Sequence, residues 1–387
     1  MIIVEIVFWL SLILIFHTMI GYPISLYIID KFIKKKNVEV DTSMRPKVSI
    51  IIPAHNEESV IEKKLQNLIN LNYPKDLMEI IISSDNSTDK TNDIVEDFIT
   101  KNNQNNIRLY KVKKRQGKTN AQNEAVKIAN GKILAFSDAN SMLEKDAIIH
   151  LVSSFVDEKV IYVTGKLTYV NSLDSITSEA ENKYWNYDLF MRKVESDVKT
   201  ITAGNGAIYA IRKSDYVDFD PIRSHDSAMP SHAALIHKKA IFNEKAIAYE
   251  KAGETTGDEF KRKVRMSRGG LKALYTDIRK YNPFKYGWYS YFYFGHRACR
   301  RALFIFHITL LSTNILLINE NILYYFLFLI QISFYLLALM KKMFGLNHKV
   351  FYFPYYYVMT LLAQLVGTYN QITGKSKPFW EKAESTR

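Results

Sequence analysis

The stretch KVSIIIPAHNEE at residues 47–58 decides the fold, because a short β-branched run ends abruptly in polar residues. Val48 to Ile52 is largely apolar and Pro53 closes it, so this run predicts a buried strand. The next segment, residues 59–71, has apolar side chains at close to helical spacing. A strand followed by a helix therefore begins here, with polar side chains at the carboxyl end of the strand.

The same alternation continues along the chain. Further strands are predicted at MEIIISSD, NIRLYKV and KILAFSDAN, and helices at residues 87–101 (opening with Ser87 or Thr88 as cap) and 119–130. These strands are continuous apolar runs, which is typical of a parallel sheet covered by helices on both faces. Ligands bind at the carboxyl ends of the strands in such sheets. Polar groups follow three strands, so we expect one polar crevice, formed by residues 53–57, 85–87 and 138–140.

Both ends of the chain are much more apolar than the middle. Residues 2–29 are apolar apart from Glu5 and His17, and exceed the roughly 20 residues that a bilayer core requires. Three more candidate spans follow near the C-terminus, at residues 302–319, 322–340 and 351–370. Basic residues prefer the cytoplasmic side, so the lysines after the first span predict that it runs from outside to inside. The alternative, that these runs are buried helices of a soluble protein, requires four runs flanked by basic clusters to be buried.

These patterns divide the 387 residues into six segments. They are an N-terminal transmembrane helix (1–30), a linker (31–46), an α/β domain (47–250), interfacial amphipathic helices (251–300), three C-terminal transmembrane helices (301–373) and a tail (374–387). We attribute the net charge of +13 in part to basic clusters beside the spans, which attract anionic membrane lipid. No zinc finger or RNA-binding aromatic motif occurs, so nucleic acid is not an expected partner. The single cysteine, Cys299, excludes a disulfide framework.

The crevice lacks the signatures of two common nucleotide-binding folds. No Gly-x-Gly-x-x-Gly follows the first strand and no Gly-Lys-Ser/Thr loop occurs, which disfavours a Rossmann dehydrogenase and a P-loop NTPase. Acidic residues at strand ends suit a hard divalent cation instead. Mg²⁺ or Mn²⁺ could bridge Asp138 to a diphosphate.

Seven motifs occur in the order that is characteristic of a known family. They are VSIIIPAHNEE (48–58), SSDNSTD (83–89), RQGKTNAQNEA (115–125), FSDAN (136–140), TAGNGAIYAIRK (202–213), HDSAMP (225–230) and RKVRMSRGG (262–270). Together they resemble the membrane-bound, inverting family-two glycosyltransferases, in the branch of the poly-N-acetylglucosamine, cellulose and hyaluronan synthases. The resemblance covers about residues 47–270. It implies an α/β fold of the GT-A type, a nucleotide-diphospho-sugar transferase domain with a parallel sheet, flanked by transmembrane helices.

The resemblance implies that eight residues bind the nucleotide-sugar donor. They are Pro53, His55, Glu57, Asp85, Lys118, Asp138, Arg265 and Arg268. Asp85 matches the acid that binds the base, and Asp138 with Asn140 matches the D-x-D motif that holds Mg²⁺ or Mn²⁺. Asn140 departs from the motif, because its carbonyl oxygen can reach a metal but brings no charge. The affinity for metal should therefore be lower than with two acids.

On the acceptor side, the resemblance makes Asp226 the catalytic general base that deprotonates the acceptor hydroxyl. The expected acceptor region comprises Gly204, Asn205, Gly206 and His225. The Q-x-x-R-W motif of processive synthases reads Arg262 to Met266 here, so its Arg is kept as Arg265 while its Gln and Trp are lost. Met266 cannot stack on a sugar as Trp does, which leaves both processive and single addition open.

Ordinary structural roles compete with several of these assignments. Asp85 and Asp226 could cap helices, and Glu57 could be a first-turn acid favoured by the helix dipole. His225 could be a solvated loop histidine, while the two glycines could serve only a tight turn. Arg265 and Arg268 could contact lipid headgroups. The aromatic residues Tyr184, Trp185 and Tyr187 could form a sugar platform or a packing face.

The sequence thus predicts a multi-pass glycosyltransferase of the cell (inner or plasma) membrane, with its catalytic domain on the cytoplasmic side. We expect a UDP-sugar donor and a lipid-linked or polysaccharide acceptor, in cell-surface glycan biosynthesis. Three alternatives stay open: a single-sugar transferase to polyprenyl phosphate, a catalytically silent nucleotide-sugar sensor, and a non-catalytic member of an export complex. The sequence also leaves open a homo-oligomer or export partners.

Overall fold

The fold is described from a computed structural model of the chain. The structure describes residues 1–35, 38–103, 106–171, 176–253, 255–346, 348–376 and 378–379. For residues 176–184 it describes the backbone alone. The chain forms two compact units. A helical unit contains Met1–Ile28, Glu259–Ile278 and Tyr293–Ser376. An α/β unit contains Ile29–Asp258 and Arg279–Phe292, together with Pro378 and Phe379.

The α/β unit is built on one eight-stranded sheet. Its strands are β1 (Val48–Ala54), β2 (Met78–Ser84), β3 (Ile107–Lys111), β4 (Ile133–Ser137), β5 (Met142–Leu143), β6 (Val160–Tyr169), β7 (Ile208–Arg212) and β8 (Lys239–Glu250). Their order across the sheet is β3-β2-β1-β4-β7-β6-β8-β5. The first four strands in the chain are parallel to one another, as the continuous apolar runs predict. Beyond β4 the sheet is mixed, because β7 runs antiparallel to both β4 and β6.

Helices follow most of the parallel strands and cover the sheet. In the α/β unit they are α3 (Ile61–Ile69), α4 (Thr91–Lys101), α5 (Lys118–Ile128), α6 (Ala147–Ser153), α7 (Ile176–Val198) and α8 (His225–Leu235), with the short α11 (Pro283–Tyr286) and α12 (Trp288–Phe292) near residue 290. All seven residues of β1 and of β2 are buried. Each buried Val or Ile there contributes roughly 1.5–3 kcal/mol relative to exposure, so the central strands form a rigid base for the loops that follow them.

Two local details differ from the sequence-based expectations. β1 does not end before Pro53 but includes it and ends at Ala54. Its ladder with β4 stops at Ile51, so the proline needs no amide hydrogen on that side. α4 begins at Thr91, not at residue 87, because Asp89 accepts hydrogen bonds from the Thr91 amide and hydroxyl. Ser87 and Thr88 bond to the loop after β1 instead.

The helical unit contains most of the apolar ends of the chain. Its helices are α1 (Ile2–Phe16), α2 (Tyr22–Phe32, which ends in the other unit), α9 (Thr256–Met266), α10 (Gly270–Tyr275), α13 (Arg300–Leu317), α14 (Ile322–Phe344) and α15 (Lys349–Ile372). Four continuous helices in the described ranges are long and apolar enough to cross a membrane: Ile2–Phe32, Trp288–Leu317, Ile322–Phe344 and Lys349–Ile372. Many of their large apolar side chains are exposed, as expected for lipid contact.

Helix α9, which carries the Arg262-to-Met266 motif, packs within the helical unit on α15. Glu259 is buried and pairs with Arg262 and Lys263, and the Tyr356 hydroxyl of α15 donates to it at 3.3 Å. The Lys263 ammonium lies 4.8 Å from the centre of the Tyr356 ring. Burial raises the pKa of Glu259, but Arg262 and Lys263 outweigh it and hold that pKa below its usual range. The last apolar helix thereby fixes the orientation of the basic helix.

Candidate active site

The carboxyl ends of β1, β2 and β4 meet at one edge of the sheet, as the sequence predicts. The loops after β1 and β2 are tied together: the Asn56 carboxamide oxygen accepts from the Thr88 amide at 2.8 Å, and the Asn56 amide donates to Ser87. Asn56 and Asn86 have φ near +55°, a conformation that asparagine tolerates better than most residues. The polar residues of the loops after β1 and β2 are therefore held in place by hydrogen bonds between the two loops.

Asp85 has a positioning role in this structure and does not face the crevice. It is fully buried, and its two carboxylate oxygens accept from the amides of Gln116 at 3.0 Å and Gly117 at 2.8 Å. Contact of its carboxylate with a base stays a prediction, and Asp85 does not cap the next helix, α4, which begins at Thr91. It holds the turn that leads into α5, where Gly117 has a φ of +95° that an L side chain rarely adopts.

His55 lies half-buried above this turn. Its Nδ1 is 2.9 Å from the Asp85 carbonyl oxygen. Burial, and then the nearby Arg115 charge, holds the pKa of His55 below its usual range, which favours a neutral ring. The C-terminal segment reaches the same place, because the Arg115 guanidinium lies 5.0 Å from the centre of the Phe379 ring and the Pro378 carbonyl faces Gly117.

Pro53 and Glu57 do not present their side chains to the crevice. Pro53 is buried within β1, and Glu57 is 2 % exposed. The Glu57 amide donates to the Thr91 hydroxyl at 2.7 Å, which joins the β1 loop to α4. Glu57 is not a first-turn acid either, because α3 begins only at Ile61. Both residues therefore have a structural role in this segment, and contact of either side chain with the donor stays a prediction.

Three charged side chains from distant parts of the chain meet around Gly206. A Cβ atom built on Gly206 would lie 2.8 Å from Lys118 Nζ, 3.4 Å from Asp138 Oδ2 and 4.0 Å from Asp226 Oδ2. The Lys118 ammonium pairs with Asp138 Oδ1. The Asp226 carboxylate accepts no hydrogen bond from any described residue, and α8 begins at His225, so Asp226 is not a helix cap. A side chain at Gly206 would enter this cluster and displace the Lys118 ammonium.

A buried lysine lies directly behind the Asp138 loop. Lys64 of α3 is fully buried and donates to the Ser137 hydroxyl at 2.8 Å and to the Ser141 carbonyl. Ser141 in turn donates to Glu250. Burial lowers the pKa of Lys64 to about 7, with Asp138 and Glu250 opposing that shift. The sequence contained a signal for this residue, since Lys64 falls among the apolar positions 61, 65 and 68 of its helix.

The oxygen atoms of the crevice suit a divalent cation, and a diphosphate could bind the same cation. Asp138 is partly exposed, and the Asn140 side chain makes no hydrogen bond to a described residue. Among the residues that the structure describes, no three His, Cys, Asp or Glu side chains form a metal cluster. Carboxylate and carbonyl oxygens suit Mg²⁺ or Mn²⁺. A metal held at Asp138 and Asn140 would therefore need further ligands from the substrate or water.

Two residues of the expected acceptor region are structural, which corrects the expectation. Asn205 is buried and bonds to Thr164, to the Gly165 carbonyl and to the Ala207 amide. His225 is fully buried and stacks on Phe136, so it neither lines the acceptor region nor lies in a solvated loop. Burial lowers the pKa of His225 to about 4.

Gly204 is also explained by packing. A Cβ atom at Gly204 would collide with the Tyr162 hydroxyl, and the Gly204 amide donates to the Asp226 carbonyl at 2.7 Å. The 204–206 turn thereby fixes the backbone of Asp226. Of the expected acceptor residues, Gly206 alone borders the charged cluster.

Arg265 and Arg268 belong to the helical unit. The Arg268 Nε donates to the Arg265 carbonyl at 3.1 Å, and burial lowers the pKa of Arg268. Their contact with a diphosphate stays a prediction, as does the alternative contact with lipid headgroups.

Comparison with known proteins agrees with this architecture. Residues 49–218, which hold the strand ends, the Asp138 loop and the Gly206 turn, match the profile of glycosyl transferase family 2. The chain carries a family 2 glycosyltransferase domain. The solved mannosyltransferase of Pyrobaculum calidifontis has the same fold, with a TM-score of 0.72 over 96 % of this chain and 100 % of that one at 19 % identity. The GT-A fold and the family predicted from the motifs are thus confirmed.

Several curated relatives of this glycosyltransferase are named enzymes. A probable glycosyltransferase of Bacillus subtilis, YdaM, is 28 % identical over 74 % of this chain and 73 % of its own length. The poly-beta-1,6-N-acetyl-D-glucosamine synthase of Staphylococcus epidermidis is 26 % identical over 60 % of this chain and 56 % of its own. The beta-monoglucosyldiacylglycerol synthase of Nostoc is 31 % identical over 42 % of this chain. The match spans 35 % of that synthase.

Proposed function

We propose that this chain is a membrane-embedded inverting glycosyltransferase that transfers a sugar from a nucleotide sugar to a lipid-linked or polysaccharide acceptor in cell-surface glycan biosynthesis. The observation that carries the proposal is the cluster around Gly206, where Asp138, Lys118 and Asp226 converge. A donor site and a base on one crevice are what a single displacement requires, because the acceptor hydroxyl must attack opposite the leaving group.

On this proposal, Asp226 accepts the proton of the acceptor hydroxyl as that oxygen attacks the anomeric carbon. The absence of a described hydrogen-bond partner leaves its carboxylate available for the task. Lys118 exchanges its contact with Asp138 for the diphosphate of the donor. Asp138 and Asn140 would hold Mg²⁺ or Mn²⁺, which would neutralise the charge that develops on the leaving nucleoside diphosphate.

The names of the relatives support the substrate class. They include a glycolipid synthase and a polysaccharide synthase, and the solved mannosyltransferase was in complex with GDP-mannose and Mn²⁺. We propose a UDP-sugar as the donor of this chain. The four apolar helices support membrane embedding, and the lysines after the first span support a cytoplasmic catalytic domain.

Single addition to polyprenyl phosphate is the second candidate, and Met266 is the observation in its favour. Met266 stands where processive synthases have Trp, and it is 61 % exposed. A thioether offers no ring on which a growing sugar chain could stack. Product length, measured by mass spectrometry after the reaction, separates one added sugar from a polymer.

The test is nucleotide release from a panel of UDP- and GDP-sugars by the full chain in detergent, with and without Mn²⁺ or Mg²⁺ and with native lipid extract as acceptor source. We expect metal-dependent release from one donor. Asp226→Asn should lower that release by about 100-fold or more, since general bases contribute roughly 10²–10⁴ in rate. Asp220→Asn, at an exposed carboxylate before α8, is the matched control. Unchanged release in Asp226→Asn would refute the base assignment, and release from no donor would refute catalysis.

A further inference from the structure

The α/β unit has a second concave site that the proposed reaction does not use. It is a cleft of about 360 Å³, which we call the lysine cleft, and Lys34, Lys199 and Lys285 line it together with Phe284 and Trp288. These residues come from three segments far apart in the sequence. A neighbouring cleft shares Lys199 and is lined by Lys159 and Lys239, at the starts of β6 and β8.

The lysine cleft lies toward the edge of the sheet opposite the candidate active site. β7 is antiparallel to β4 and to β6, and β6 is parallel to β8, so β6 and β8 run in the same direction as β4. The starts of β6 and β8 are therefore at the edge opposite the carboxyl end of β4, where Asp138 lies. A ligand in this cleft is a different molecule from the donor sugar.

The three lysines of the cleft carry uncompensated charge. Across the described ranges, no carboxylate lies within 4.0 Å of the Lys34, Lys199 or Lys285 ammonium groups. The acids that precede Lys34 and Lys199 in the sequence are occupied elsewhere, because Asp30 and Asp197 both contact Lys35, at 2.8 and 3.9 Å. Three ammonium groups around one cavity favour an anion with several acceptor oxygens, such as a phosphate group.

Two membrane-span candidates end at this cleft. Ile33 and Lys34 directly follow the span Ile2–Phe32, and Trp288 is the first residue of the span Trp288–Leu317. Phe284 is 100 % exposed and Trp288 is 39 % exposed. Tryptophan at the end of a span is typical of the membrane–water interface, and a fully exposed phenylalanine is costly in water but favourable among acyl chains. The cleft is therefore lined by residues adjacent in sequence to two membrane-span candidates.

We propose that the lysine cleft binds the phosphate of an anionic phospholipid, with Phe284 and Trp288 against the upper part of its acyl chains. The charge selects an anionic headgroup, and the exposed aromatic side chains select a lipid over a soluble phosphate. This lipid holds the α/β unit at the membrane surface and is neither donor nor acceptor. The proposal is independent of the sugar-transfer reaction.

The test is native mass spectrometry of the full chain in detergent, titrated with phosphatidylglycerol or with phosphatidylcholine. We expect phosphatidylglycerol to be retained more strongly. The triple variant Lys34→Gln, Lys199→Gln and Lys285→Gln should weaken that retention by about tenfold or more, since each juxtamembrane lysine contributes roughly fivefold. The control triple Lys63→Gln, Lys101→Gln and Lys145→Gln removes the same charge at exposed positions elsewhere in the α/β unit. Equal retention of both lipids, or equal loss in both triples, would overturn the proposal.

A second arm separates a lipid from a soluble phosphate compound. Phe284→Ser, at a fully exposed side chain that should not affect folding, is expected to weaken phosphatidylglycerol retention severalfold. Inorganic phosphate, compared with chloride at equal ionic strength, is expected not to displace the lipid. Displacement by inorganic phosphate together with unchanged retention in Phe284→Ser would assign the cleft to a soluble phosphate and refute the lipid assignment.

Discussion

At the scale of single residues, the site contains two kinds of polar side chain that look alike in the sequence. Asp138 and Asp226 border the crevice, whereas Asp85 is buried and holds a turn. Asp85 and Asp138 directly follow strands and Asp226 is the second residue of α8, so each of the three acids lies at the end of a regular element. Burial separates them, because Asp85 is shielded from solvent and both of its carboxylate oxygens accept backbone amides, whereas Asp138 is partly exposed.

Lys64 leads to a prediction at this scale. Lys64→Met should lower the free energy of unfolding by about 1–3 kcal/mol, because the Ser141 carbonyl loses its buried donor. It should also lower the rate of donor turnover at temperatures where the variant is still folded, since the Asp138 loop loses its support. The measurements are thermal unfolding and nucleotide release at a temperature well below the transition.

Lys63→Met is the matched control for Lys64→Met, since Lys63 is the preceding residue and is exposed. It should change neither quantity. A Lys64→Met protein with normal turnover and normal Mn²⁺ affinity, measured by electron paramagnetic resonance, would show that Lys64 does not position the loop.

At the scale of elements, close packing between helices decides where the basic helix α9 points. A Cβ atom on Gly367 of α15 would lie 2.8 Å from the Val264 carbonyl oxygen and 2.7 Å from the Ser267 Cβ. The small residue therefore lets the two helices touch through their backbones. The Glu259–Tyr356 contact reinforces the same pair. Arg262 to Arg268 are thereby held by contacts with the last apolar helix.

Gly367→Ala tests this packing. The added methyl group should force the two helices apart and cost about 1–3 kcal/mol, as other overpacking substitutions do. Hydrogen exchange in residues 256–268 should become faster, while exchange in β1 and β2 should not change. Val366→Ala, at an exposed neighbouring position, is the control. Unchanged exchange in residues 256–268 would contradict the proposed role of Gly367.

At the scale of the whole molecule, the sheet buries ionisable groups whose protonation links stability to pH. His225 stacks on Phe136 of β4, the strand that precedes Asp138. Burial lowers the pKa of His225 to about 4. The unfolded chain binds a proton at this residue near pH 6.5, whereas the folded chain does so only near pH 4. Between these values the unfolded state binds more protons, so stability falls as the pH falls.

The expected loss from His225 is on the order of 3 kcal/mol between neutral pH and about pH 4. The measurement is the unfolding midpoint as a function of pH. His225→Gln removes the titrating group, so its midpoint should fall less steeply between pH 6.5 and 4, whatever its absolute stability. His150→Gln, at a partly buried histidine of α6, is the matched control for the substitution. Equal slopes in the wild type and His225→Gln would refute the assignment.

The sequence by itself determined the parallel half of the sheet, the four apolar helices and the family, because each depends on a local pattern. Short β-branched runs bounded by polar residues favour buried strands, apolar runs of about 20 residues suit a bilayer, and ordered motifs mark the family. Only the tertiary structure decided the antiparallel β7, the buried positions of Asp85, Asn205 and His225, the hydrogen-bond partners of Lys64 and the lysine cleft. These features depend on which distant segments meet and on what becomes buried there, and no local pattern contains that information.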